Sequence, residues 1–60
     1  MKEIYSWDVA EELQNGKRVY AIFKIENVVV MKKAEDLTMK EWVENDCGSG
    51  MTFLKEKDYE

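Results

Sequence analysis

The 60-residue sequence predicts an α+β fold of two layers in the order α-β-β-α-β, with a three-stranded, mainly antiparallel sheet and two helices on one face. Three observations carry this expectation. Two alternating apolar stretches, Lys17 to Ile25 and Val28 to Lys33, lie either side of Glu26-Asn27, the pattern of a β-hairpin. A capping box precedes a short apolar stripe at Leu37-Thr38-Met39-Lys40-Glu41-Trp42. An earlier amphipathic stretch closes on Asn15-Gly16, a helix stop.

The first helix is expected to start at Ser6, whose hydroxyl can cap the free amides of the first turn, with Asp8 favourable to the helix dipole. Trp7, Ala10 and Leu13 form its apolar stripe, and Gly16 supplies the left-handed residue that ends it. In the first hairpin strand Val19, Ala21, Phe23 and Ile25 share one face, and Arg18, Tyr20, Ile22 and Lys24 share the other. Glu-Asn is a poor two-residue turn, because the favoured types want Asn or Asp before Gly, so a four-residue loop is an alternative. In the second helix Thr38 and Glu41 cap, Leu37 and Trp42 staple, and Met39, Trp42 and Val43 form the buried stripe. Asn45 to Gly50 reads as a loop, and Met51 to Lys57 as a last strand with Met51 and Phe53 on one face and Thr52 and Leu54 on the other.

Pairing Ile25 with Val28 puts Phe23 opposite Val30 on the helix side. The opposite face then carries Arg18, Tyr20, Ile22, Lys24, Val29, Met31, Lys33 and Leu54: an apolar centre with a basic rim, and no element left to cover it. These eight residues are the expected partner-binding surface, since contiguous exposed apolar patches mark interaction sites and aromatics, Met and Arg are enriched in interfaces. The competing reading is a solvated face whose long side chains cover one another. A one-residue slip in register would exchange the two faces.

Composition limits the chemistry. There is no histidine, hence no imidazole base or ligand, and one cysteine, hence no intramolecular disulfide and no multi-thiolate metal site. Cys47 lies beside Glu44 and Asp46, which provide no positive field to stabilise a thiolate. Gly48-Ser49-Gly50 lacks the Lys-Ser/Thr of a phosphate loop. No catalytic residue, metal or cofactor is expected. Nine basic residues against thirteen acidic ones give a net charge of −4, which argues against direct binding of nucleic acid or of an anionic membrane. No apolar run approaches the roughly 20 residues of a membrane span, and Met1 to Tyr5 lacks a signal-peptide core, so a cytoplasmic protein is expected.

Val9-Ala10-Glu11-Glu12-Leu13-Gln14-Asn15-Gly16-Lys17-Arg18-Val19 resembles the opening helix, Gly-Lys turn and first strand of many small phage-encoded proteins. Among them is the Thoeris anti-defence family, which sequesters cyclic ADP-ribose-type signals. Asp36-Leu37 followed by Glu41-Trp42 resembles that family's closing stretch. The strand continues Tyr20-Ala21-Ile22-Phe23 where the family has an Arg and a Trp of its ligand site, so no ligand-binding residue carries over. The resemblance implies a phage or mobile-element origin, with a host protein or a second copy of the chain as partner. The expected function is therefore a non-enzymatic interaction module, acting in the host cytoplasm, that binds and modulates a host protein through the open sheet face. The alternatives are a dimeric sponge for a nucleotide signal and an acidic DNA mimic.

Overall fold

A computed structural model describes residues 2–56. The element order is β1 (Lys2–Ile4), a 3-10 turn at Ser6–Asp8, α1 (Val9–Gln14), β2 (Val19–Ile25), β3 (Val28–Lys33), a 3-10 turn at Ala34–Asp36, α2 (Met39–Glu44), a 3-10 turn at Asp46–Gly48, and β4 (Thr52–Lys55). The architecture is α+β, with two α-helices and an antiparallel sheet of order β1-β4-β2-β3. The sheet has four strands rather than the three expected. The added strand, β1, is three residues long and turns a single apolar side chain, Ile4, toward the core, too little alternation to announce itself.

β2 lies between β3 and β4, and its pairings define the two faces. Ile25 pairs with Val28, Phe23 with Val30 and Ala21 with Lys32, while on the other side Ala21 pairs with Phe53. The hairpin loop is the two residues Glu26 and Asn27, both left-handed at φ 50° and 66°. Two consecutive positive-φ residues are the signature of the hairpin turn whose twist matches the flanking strands. A left-handed conformation costs a residue such as glutamate about 1 kcal/mol, which is why the pair reads poorly in sequence.

Val19, Ala21 and Phe23 of β2 and Phe53 of β4 are buried, and form one apolar cluster with Val9, Ala34 and Met51. Leu13 of α1 and Leu37 and Trp42 at α2 pack against the same cluster. The Trp42 ring stacks on Phe53 at 5.5 Å between centroids. Two ion pairs tie the helices to the sheet: Lys55 Nζ to Glu12 Oε2 at 3.3 Å, and Lys32 Nζ to Glu41 Oε1 at 3.0 Å.

Several expectations about the helices are corrected. Ser6 opens a 3-10 turn, with no side-chain cap there, and α1 itself begins at Val9. The shift in start changes the stripe. Val9 and Leu13, four residues apart, face the core, whereas Trp7 is 74% exposed and stacks on Tyr5 at 4.6 Å. In α2 Trp42 turns inward, but Met39 and Val43 are 77% and 60% exposed. A six-residue helix resting on a small sheet has room for little more than one large inward side chain. Ile25, at the far end of β2, is 47% exposed, so the helices do not reach the hairpin end of the face. β2 starts at Val19 rather than Lys17, and β4 spans Thr52–Lys55; Lys57, expected at its end, lies outside the described residues.

Two left-handed glycines play different parts after the helices. Gly16, at φ +76°, closes α1: its N–H donates to the Leu13 carbonyl and the Lys17 N–H to that of Glu12, the paired bonds of a Schellman ending. A Cβ on Gly16 would meet nothing within 4 Å. Gly48, at φ +99°, lies against Trp42, and a Cβ there would fall 2.5 Å from Trp42 Cζ3. Gly16→Ala is therefore expected to cost about 1 kcal/mol from backbone conformation alone. Gly48→Ala adds displacement of the Trp42 ring and should cost about 2–4 kcal/mol; urea unfolding of the two variants checks the order. In the hairpin, the double substitution Glu26→Asn, Asn27→Gly should stabilise by about 1 kcal/mol, since both positions already have the backbone that Asn-Gly prefers. A thermal melt reads this directly.

Candidate functional site: the open sheet face

The side chains that alternate away from the core form three rows across the sheet. The first runs Glu3, Leu54, Tyr20, Lys33; the second Thr52, Ile22, Met31; the third Lys24 and Val29. Seven of the eight residues expected from sequence stand in these rows. The eighth, Arg18, precedes β2 and is held in line by Glu56: the Arg18 N–H donates to Glu56 Oε1 at 3.1 Å, and the Glu56 N–H to the Arg18 carbonyl at 3.0 Å. Tyr20, Ile22 and Leu54 are half-buried, while Val29 and Met31 are 63% and 61% exposed. Apolar surface therefore runs unbroken from β4 across β2 to β3. Thr52 and Glu3 also belong to the face; Glu3 was missed because β1 was missed.

The charges on the two sides of the sheet differ in their pairing. On the helical side Lys32, Lys40 and Lys55 meet Glu41, Glu44 and Glu12 respectively. Among the described residues, no such ion pair engages the side chains of Arg18, Lys24 or Lys33 on the open side. At the Arg18 end of the sheet, beside the end of β3, lies a cleft of about 470 Å³. Leu13, Val19 and Tyr20 line it, with Lys17, Arg18 and Lys33 as its cations and Glu35 as its acid. No family model, no curated protein and no solved structure matches this chain.

Other candidate chemistry is placed as follows. Cys47 is an exposed loop thiol in left-handed backbone, φ 56°. Among the described residues no three His, Cys, Asp or Glu side chains converge as a metal site, and no helix is long and apolar enough to cross a membrane. Trp42 is committed to the core, and the exposed Trp7 stacks on Tyr5.

The structure lowers the pKa of the Glu41 carboxylate. The Thr38 backbone N–H donates to Oε1 at 2.9 Å, and the Lys32 ammonium donates to both oxygens; together they hold its pKa below the ordinary glutamate value. The same carboxylate caps α2 and tethers β3. A depressed folded-state pKa gives stability that is present above the unfolded-state value and lost as pH falls through the folded-state value. Glu41→Gln should therefore lower the melting temperature at pH 7 and narrow the gap to wild type in the acid range. Equal losses at both pH values would show that the carboxylate charge is not the cause.

Proposed function

We propose that this chain is a non-enzymatic interaction module, a two-layer domain whose open sheet face docks a protein partner and modulates it. The observation that supports this reading is the continuity of Leu54, Tyr20, Ile22, Met31 and Val29 across three strands, uncovered by any described element. An apolar surface left in water forgoes roughly 25 cal/mol per Å² that burial against a partner would recover. The cationic rim of Arg18, Lys24 and Lys33 favours an orientation and discriminates among partners more than it adds affinity.

Met31→Glu places a charge at the centre of this face on a side chain already largely in solvent, so the fold should persist. Wild-type protein immobilised in lysate is expected to retain a partner identifiable by mass spectrometry. Met31→Glu should lose it with an unchanged circular dichroism melt, while Met39→Glu, on the helical side, should keep it. Retention by Met31→Glu would refute docking through this face, and unfolding of Met31→Glu would show that the face is structural.

A further inference from the structure

The proposed docking reading names a face but not the chemistry of what lies on it. The distribution of paired and unpaired cations supplies that. In a chain of net charge −4, lysines 32, 40 and 55 on the helical side each meet a glutamate, while among the described residues no ion pair engages the side chains of Arg18, Lys24 or Lys33. Arg18 and Lys33 converge on one cleft, which Lys17 and Glu35 also line. Tyr20 lines the same cleft and heads the apolar row, because it pairs with Lys33 on one side and Leu54 on the other. The cleft thus shares Arg18, Tyr20 and Lys33 with the open face.

We propose that the cleft receives a carboxylate side chain of the docked protein, so that the partner presents an acidic residue beside apolar ones. The inference rests on the docking reading. Along β2 the basic end at Arg18 and the apolar residue Ile22 are four positions apart, about 13 Å at the usual strand rise. A partner segment would therefore place its acid about two and a half turns of helix, or four strand residues, from its apolar anchor. Arg18 supplies the fork that grips a carboxylate through two parallel bonds, and Lys33 adds a second cation across the strand pair.

The test is selection from a random dodecapeptide library displayed on phage, with wild type, Lys33→Glu, the double variant Arg18→Gln, Lys33→Gln, and Met31→Glu as baits. Circular dichroism melts confirm that each bait is folded. Wild type is expected to enrich peptides that pair Asp or Glu with Leu, Phe or Met. Both cleft variants should lose the acidic preference, and Glu→Gln in an enriched synthetic peptide should weaken binding about tenfold. Apolar peptides without acidic excess, lost on Met31→Glu, would uphold docking and overturn the carboxylate assignment. The same acidic set on the cleft variants would also overturn it. No enrichment by wild type would overturn both readings. A dimer in native mass spectrometry that Met31→Glu dissolves would put a second copy on the face and overturn the assignment of an acidic partner.

Discussion

The register of the β2–β3 hairpin is the constraint on which the rest of this structure depends. Side chains alternate with period two along a strand, so one residue of slip would carry Val19, Ala21 and Phe23 into solvent and bring Tyr20, Ile22 and Lys24 under the helices. The observed pairing avoids this through a two-residue turn that fixes Ile25 against Val28. Glu26 and Asn27 hold left-handed backbone to make that turn, an unfavourable local choice offset by burial farther along the strands. Local preference and tertiary packing disagree here, and packing wins because it commits three core side chains on β2 at once.

From that register the helical layer follows. Ala21, fully buried at the centre of β2, leaves space that larger neighbours fill, with Phe53 directly across the strand pair and Trp42 stacked on it. Each helix is only six residues long, below the length at which isolated helices are stable in water. Both are held by end chemistry and one ion pair to the sheet: α1 by its Schellman ending and Glu12–Lys55, α2 by the Thr38–Glu41 box and Glu41–Lys32. Glu41 is central to the second arrangement because a single carboxylate caps the helix and grips the strand. These pairs draw on the lysines that alternate toward the helices. The cations that alternate the other way remain at the open face.

How far the sequence could be read follows the strength of each local signal. The capping box at Thr38 and Glu41, the span of β3 from Val28 to Lys33, the left-handed Gly16 and the facing of Met51 and Phe53 were all legible, because each rests on residue-level chemistry or strict alternation. β1 was not, since it is a strand only by virtue of its pairing with β4. The stripes of the helices were misread for a related reason. Trp7, Met39 and Val43 are apolar at helical spacing, but a helix this short buries what the sheet beneath it can accommodate, and hydrophobicity alone does not say which residue that is. The open-face residues of the hairpin, Tyr20, Ile22, Lys24, Val29, Met31 and Lys33, were legible because their placement needs only the hairpin register, whereas Leu54 also needs the pairing of β4 with β2. The cleft was not, since Lys17 and Glu35 join it through the turns that follow α1 and β3.

The open face raises a last physical question, what guards it and the edge strand beside it against other chains. β3 is an edge strand, and Val28 to Met31 carry neither charge nor proline, the usual guards of an exposed edge. Protection comes from the flanks instead. Lys24 pairs across from Val29, and Lys33 ends the strand, so cations stand at both ends of the apolar stretch on the open side. Two copies meeting face to face would bring these cations together, with nothing in the same rows except Glu3 to compensate. A partner bearing carboxylates at matching positions meets no such repulsion. On the docking proposal, the basic rim would work in both directions: it would disfavour stacking of the apolar centre on copies of itself and favour an acidic surface of complementary shape.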